Sequence, residues 1–510
     1  MSREESARGG SSVKETPLPW GKLAVLLAVQ ITEPLGFTIV LPFMYQMVGG
    51  FDIVHDPKDI SFYAALLFMS YQLLKTITAT YWGTLSDRIG RRPVILVGLL
   101  GDLLTFALFG VSKSFTWAIV VRSLNGFFTG NSVVTKPIVA EIADDTNRGR
   151  MMAMLPLMFH VGTLLGGAIG GLLANPVKNY PWLFGNSVVF REYPFLLPCL
   201  VGSSISLFGM VIGYFCLEET LVVKQTQPAS DSPVSETTSL ISESQREEGQ
   251  CQANPNPEPL SKWDILTPTV IRIFAVNACL CFAFSMQAQL YPIFAATDIA
   301  IGGLGMSTQT IGYTFIICSV FIIFIQLVVF PKYELKYGAL RCYRHGLLML
   351  ALFCVTCPLL STVAKHTGNS AGDQYGTGII KFLLQGSYLF WALLVAELYL
   401  LMHADAFAWT SMYILVSNAA PRKDYLGFIN GLLNQVIGFT YMVGPLVSGY
   451  LWSWSLKHTL PYPFNSHLAW VASSIPLLVA WYMTLGIPES VNVFVSGSNE
   501  QSHSVSDDNE

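Results

Sequence analysis

The side chains able to do chemistry stand inside stretches that otherwise hold almost only apolar residues. Glu33 lies in AVQITEPLGFTIVLPFMYQM, Arg122 opens RSLNG, and Glu397, His403 and Asp405 share the apolar stretch from Ile379 to Val416. Lys75, Asp102, Lys136, His160, Arg272 and Asp298 have similar surroundings. An ionisable group at bilayer depth is costly and belongs to a cavity, an ion pair or a proton path. A partly desolvated carboxylate beside a cation has its hold on a proton set by both neighbours, which is the chemistry of a proton carrier. Asp298 and Lys136 fall near segment ends, where snorkelling to water accounts for them. His403 and Asp405 are two residues apart and do not share a helix face. One histidine among scattered acids does not make a metal centre, so no metal ligands are assigned. The nine cysteines show no paired extracellular spacing, and the Cys354–Cys357 pair within an apolar run reads as packing. No nucleophile–base constellation and no phosphate-binding loop is present, which argues against an enzyme, a cofactor or ATP-driven work.

These groups must be positioned by membrane helices. The chain has 510 residues, 52% of them hydrophobic and only 12% charged, against about 25% charged in a soluble domain. Runs of roughly 20 apolar residues, enough to span a bilayer, recur along it. Twelve spans are expected, at about 20–45, 61–82, 94–112, 115–140, 151–174, 194–216, 268–296, 309–330, 343–363, 386–418, 425–453 and 468–487. Pro34, Pro42, Pro137, Pro156, Pro198, Pro292 and Pro445 punctuate them, each removing a backbone bond and bending its helix. Span ten has apolar character too long for one simple crossing, so part of it is expected in the interface or in a short extra helix. Residues 221–262 turn abruptly to Ser, Thr, Glu, Gln and Pro, the composition of a disordered linker. The division is a tail (1–19), a six-helix bundle (20–216), a linker (217–262), a second six-helix bundle (263–487) and a tail (488–510).

Basic residues orient the chain. Arg88, Arg91, Arg92, Arg148, Arg150, Lys332, Lys336, Arg341, Arg344, Arg422 and Lys423 fall on the side of the N-terminus, while the other side holds the sparser Lys58, Lys113, Lys178, Arg191, Lys365, Lys381 and Lys457. Both termini and the linker are therefore expected in the cytoplasm. A net charge of −4 with scattered basic residues gives no support to nucleic-acid binding. No cleavable leader is evident.

The loop between spans two and three reads GTLSDRIGRRP. It resembles the signature G-x-L-x-D-R-x-G-R-R/K of the major facilitator superfamily, at the place in the chain where that family carries it. RSLNG in span four resembles the family's R-x-x-x-G element. GTLLGGAIGG in span five is similar to the glycine-rich motif of proton-coupled exporters, with Gly167 where a proline is usual, and GFTYMVGPLVSGY in span eleven keeps Gly444–Pro445. CLEETL after span six is similar to an ending common in fungal members. PKYELKYGALR stands in the second half where GTLSDRIGRRP stands in the first, as expected of repeated halves. E-P-L-G-F-T-x-x-x-P-F in span one resembles the zinc-induced-facilitator-like branch of the drug:proton antiporters.

The resemblance implies an all-α membrane protein of twelve helices in two pseudo-symmetric six-helix bundles, working by alternating access as a monomer. It implies gating by Gly83, Asp87, Arg88, Gly90, Arg91 and Arg92, which latch the bundles on the cytoplasmic side. It implies that Arg122 takes part in proton transfer; from their place inside apolar spans, Glu33 is expected to face Arg122 across the cavity wall and carry the proton, with Glu397 as a second protonatable group. A static ion pair that only fixes packing is the alternative. Gly162, Gly166, Gly170, Gly171, Gly444 and Pro445 are the antiporter-type glycine motif. The implied activity is proton-coupled antiport of a small organic or drug-like solute, with zinc or a metal-chelating small molecule as the alternative cargo. A membrane sensor that kept the fold and lost the cycle is the alternative of another class. ETTSLI in the linker, through Glu236, Leu240 and Ile241, has the form of a sorting signal read by adaptors. Its destination would be the vacuolar membrane, with the plasma membrane as the other location.

Overall fold

A computed structural model describes residues 19–142, 148–219, 266–367, 388–419, 426–458 and 460–492. Both tails, the linker beyond Glu219 and the sorting residues Glu236, Leu240 and Ile241 lie outside the described residues, as does the side chain of Lys136. Among the described residues every regular element is helical, and eight helices are long and apolar enough to cross a membrane.

The elements fall in the expected order. Span one is Trp20–Thr38 continued by Leu41–Gly49, span two Ile60–Ile89 and span three Arg91–Gly110. Span four is Phe115–Phe128 with Asn131–Ile142, span five Arg148–Leu173 and span six Leu196–Cys216. In the second half, span seven is Pro268–Ala296, span eight Thr308–Phe324 and onward to Tyr337, and span nine Ala339–Thr356 with Leu359–Thr367. Spans ten, eleven and twelve are Tyr388–Asn418, Leu426–Lys457 and Leu468–Thr484. The twelve helices form two six-helix bundles related by pseudo-symmetry.

Where the helices depart from the expected spans, a local cause is visible. Span four breaks at Thr129–Gly130, where side chains from span two take over the carbonyl of Phe127. Trp82 Nε1 donates to Phe127 O at 2.6 Å and Thr78 Oγ1 to the same oxygen at 3.3 Å, which relieves the orphan acceptors of a helix end. Span nine is interrupted at Pro358, whose ring cannot continue the ladder. Span eight passes through a π-helical turn, Ile325–Val329, that sets Pro331 at the start of a new α segment, Phe330–Tyr337, which runs past the expected end. Span ten is one unbroken helix of 31 residues, about 46 Å long. It is longer than a hydrocarbon core of about 30 Å and crosses it tilted or overhanging. The start of the apolar stretch, 379–387, where a short extra helix was also expected, lies outside the described residues.

Two seams join the bundles. Span five packs along span eight, and span two along span eleven. We call the end that carries GTLSDRIGRRP the motif side and the opposite end the far side.

Candidate functional site

The buried charges of the first bundle form one network joined through the Tyr71 ring, whose centre lies 5.9 Å from Lys75 Nζ. Lys75 Nζ lies 2.7 Å from Glu33 Oε1, with the lysine side chain 26% exposed and the glutamate 4%. Arg122 Nη1 donates to Gly36 O and to Asn125 Oδ1, both at 3.1 Å, and Nη2 donates to Phe37 O at 3.2 Å. The guanidinium lies 4.4 Å over the Tyr71 ring. Asn125 Nδ2 then donates to Asp102 Oδ1 and to Thr105 Oγ1, both at 2.9 Å. The glycine of R-x-x-x-G explains how Arg122 reaches this place. A Cβ on Gly126 would fall 2.1 Å from Tyr71 O, so span four can lie against the backbone of span two only with glycine there, and that approach brings Arg122 over Tyr71.

This arrangement corrects one expectation. The cation on Glu33 is Lys75, whereas Arg122 is occupied by the two carbonyls, Asn125 and Tyr71. The carbonyls belong to the turn after Pro34 in span one, so Arg122 ties span four to span one. Lys75 was visible in the sequence as a buried charge, but its spacing from Glu33 gives no hint that spans one and two bring them together. Asp102 and Asn125 were likewise not assigned to this network from sequence.

Glu397 lies away from that network. Its Oε2 accepts a hydrogen bond from Thr356 Oγ1 at 3.0 Å, placing it between spans nine and ten of the second bundle. His403 meets His345, with their Nε2 atoms 3.1 Å apart. Asp405 is buried, with Oδ2 4.0 Å from His160 Nδ1 of span five. Arg272 is exposed at the start of span seven and donates to Gly486 O, and Asp298 caps a short turn through Ala300 N. Neither is a buried intramembrane charge. Among the described residues no three His, Cys, Asp or Glu side chains converge as metal ligands.

The motif loop is built by two devices. Gly90 has φ +105°, a conformation that glycine adopts without strain, so span two can end and span three start within one residue. The backbone N–H groups of Arg91 and Arg92 then donate to Glu219 Oε1 and Oε2 at 2.9 and 3.1 Å. A carboxylate at a helix N-terminus is stabilised there by the helix dipole. Asp87 Oδ1 pairs with Arg91 Nη1 at 2.9 Å, Arg91 also reaches Ser86 Oγ at 3.2 Å, and Arg92 donates to Tyr214 O. Arg88 is exposed, and a Cβ on Gly83 would meet Val133 of its own bundle at an ordinary 3.4 Å. Among the described residues the loop is thus fastened to the end of span six. The second half repeats the plan with a neutral cap. Gly338 has φ +77°, and Leu340 N donates to Asn492 Oδ1 at 2.8 Å.

The glycine motifs divide between two tasks. On span five, Cβ atoms at Gly162, Gly166 and Gly170 would strike Ile31 O, Leu35 O and Ile39 O of span one at 2.6, 2.3 and 1.9 Å, so this stripe seats span five on span one. Gly167 and Gly171 point to the other bundle, Gly167 at the Phe315 ring and Gly171 2.4 Å from Gly312 Cα of span eight. Gly167, the position where a proline was expected, is thereby a seam residue. On span eleven, Gly444 meets Ser285 and Phe282 O of span seven, while Gly438 and Gly449 meet Thr76 and Ser61–Ala65 of span two. Pro445 lies inside span eleven.

These contacts define a conformation. On the far side the bundles are closed. Lys457 Nζ is 2.5 Å and Ser453 Oγ 2.8 Å from Asp59 Oδ1, and Gln289 Nε2 donates to Ser61 O at 3.3 Å. Towards the motif side the second seam parts. Gly431 stands seven residues before Gly438, two turns along the same helix face, yet a Cβ there would meet nothing within 4 Å. Asn434 and Gln435 are exposed nearby. Among the described residues the buried ion network therefore lies between a shut far side and a parted motif side.

Comparison with known proteins agrees with this architecture. The family model described as Major Facilitator Superfamily matches residues 26–372. The chain is 27% identical to the Major facilitator superfamily multidrug transporter mfsB of Aspergillus fumigatus, over 92% of this chain and 84% of that one. It is also 27% identical to Protein ZINC INDUCED FACILITATOR-LIKE 1 of Arabidopsis thaliana, over 86% of this chain and 85% of that one. Among solved structures, the D-xylose-proton symporter superposes with a TM-score of 0.65 at 15% identity, covering 92% of this chain and 98% of the other. The human organic anion transporter MFSD10 gives 0.57 at 16% identity, covering 92% of this chain and 100% of the other. With the family model spanning more than half its length, the chain belongs to the Major Facilitator Superfamily of membrane transporters.

Proposed function

We propose that this transporter exchanges protons for a small organic solute by rocking its two bundles about the buried network of Glu33, Lys75 and Arg122, with the motif side in the cytoplasm. The observation that carries the reading is the Glu33–Lys75 pair: a carboxylate almost out of water, held by a lysine that keeps about a quarter of its side chain exposed. Protonating Glu33 releases Lys75, and rebinding of Lys75 expels the proton, so the occupancy of the pair is linked to what else the cavity holds. Relatives named for multidrug transport and efflux support an organic cargo moved outward. The residues of the motif loop act as the latch in the opposite conformation, when the motif side closes. The linker signal at Glu236, Leu240 and Ile241 directs the protein to the vacuolar membrane.

A proteoliposome assay tests this. Purified full-length chain is reconstituted, a pH gradient is imposed, and the flux of a panel of fluorescent organic dyes is followed. The reading expects at least one dye to move faster with the gradient than without it, and Glu33→Gln to abolish that difference. Equal flux with and without the gradient for every transported dye would overturn the coupling. A metal or metal-chelate cargo is the second reading, favoured by the likeness to zinc-induced facilitators. Gradient-driven zinc movement in the same vesicles would select it.

A further inference from the structure

Asp405 has no place in the network described above, and its surroundings are unlike those of Glu33. It is 5% exposed, midway along span ten, and its Oδ1 has no hydrogen-bond partner among the described residues. From the elements packed around it, His160 of span five lies 4.0 Å away, and Cys318 of span eight and Tyr441 of span eleven are near enough to feel its charge. None of these is a permanent cation. On its own helix His403 is two residues away and turned to His345. An ionised carboxylate left in such a place, without a cation or a donor, would carry an uncompensated desolvation cost.

We propose that Asp405 is a second proton-binding site of the transport cycle, with His160 as the residue that positions or receives its proton. The geometry makes the site sensitive to conformation in a way the Glu33–Lys75 pair is not. Both members of that pair belong to the first bundle and travel together. Asp405 and His160 belong to opposite bundles, with Oδ2 and Nδ1 at 4.0 Å, just beyond hydrogen-bond reach. A rocking motion of either sense changes that distance. Closing it lets the Asp405 Oδ2–H proton pass to the Nδ1 lone pair, leaving carboxylate and imidazolium side by side. Opening it leaves Asp405 with only neutral neighbours and returns the proton to the carboxylate, or lets water enter to take it. Span ten thus carries a proton in the second bundle, where the sequence reading placed that duty on Glu397.

This inference rests on the proton-coupled reading above, but its test needs no substrate. Infrared difference spectra of the full-length protein in lipid nanodiscs, recorded through a pH titration, report the C=O stretch of protonated buried carboxyls. The expectation is a titrating component that survives in Glu33→Gln, disappears in Asp405→Asn and changes frequency in His160→Gln. If Asp405→Asn does not fold, Asp405→Glu, which keeps the acid one methylene further out, must displace the component. A spectrum unchanged by both Asp405 substitutions, or a component that vanishes with Glu33→Gln instead, overturns the assignment. A component lost with Asp405→Asn but untouched by His160→Gln overturns the role of His160. Gradient-independent dye flux with this component intact would instead count against the coupling by Glu33, so the two failures are distinguishable.

Discussion

Gly171→Leu should drive the protein out of the conformation described here. A Cβ at this position falls 2.4 Å from Gly312 Cα, 2.6 Å from Gly312 N and 2.7 Å from Thr308 O. Carbon atoms in contact sit at about 3.5–4.0 Å, so span eight must retreat by about 1 Å at the least. The obstructing atoms are backbone and cannot swing aside as a side chain would. Overpacking of this kind costs about 1–3 kcal/mol, and the cost falls on the far-side-closed state alone, because opening the seam removes the contact. At about 1.4 kcal/mol per decade, the ratio of the two states moves roughly 5- to 150-fold towards far-side opening. Hydrogen exchange of the full-length protein in nanodiscs reads this directly. Peptides from the far-side ends of spans two, eight and eleven, around Ser61, Thr308 and Gly449, should exchange faster. Those around Thr84 and Gly431 on the motif side should slow. Faster exchange on both sides would mean simple destabilisation, and unchanged exchange would mean that the span five–span eight contact is no gate; either outcome refutes the reasoning.

The opposite shift is expected from Gly431→Leu. The added side chain enters open space in the present state and obstructs only motif-side closure, so motif-side peptides should stay fast-exchanging under conditions that slow them in the wild type. Glu33→Gln leaves Lys75 without its counter-ion. Breaking a buried pair costs about 3–5 kcal/mol, and the partial exposure of Lys75 brings the expected loss to about 2–3 kcal/mol by thermal unfolding in nanodiscs. Adding Lys75→Met should restore more than half of it. Gly90→Ala forces a positive φ on a residue with a Cβ and presses that Cβ within 2.4 Å of Glu219 Oε2. A loss of about 1–2 kcal/mol and faster exchange at the start of span three should follow, while Gly83→Ala, at ordinary contact distance, should be nearly neutral in this state. Lys457→Met removes a half-exposed ion pair worth less than about 1 kcal/mol, so far-side exchange should rise by less than about fivefold, and high salt should erase the difference.

How much of this could be read from the chain differs by level. The twelve spans were legible because bilayer thickness fixes their length and the apolar runs meet it. Helix breaks were legible only in part. Pro358 stops span nine by its own chemistry, but the break at Thr129–Gly130 is met by Trp82 and Thr78 of another span, and nothing local announces it. The ionisable residues were visible because a charge in an apolar run stands out. Their pairing was not, because spacing along one helix says which residues share a face but not which face of which neighbour they meet. Hence Lys75 rather than Arg122 holds Glu33. Likewise Glu219, apparent in sequence only as part of an ending after span six, turns out to cap span three from a position 128 residues away. The glycine motif was legible as a set, yet its division into a stripe seated on span one and a pair facing span eight needed the packing.

The account stands on reciprocal motion of the two ends. Single-molecule distance measurements on the full-length protein in nanodiscs test it most directly, with labels placed through a non-natural amino acid on one pair of far-side loops and, separately, one pair of motif-side loops. As the pH is cycled, far-side separation should rise in the fraction of molecules in which motif-side separation falls, with matching rates. Two ends that open together, or one that moves while the other stays fixed, would contradict it.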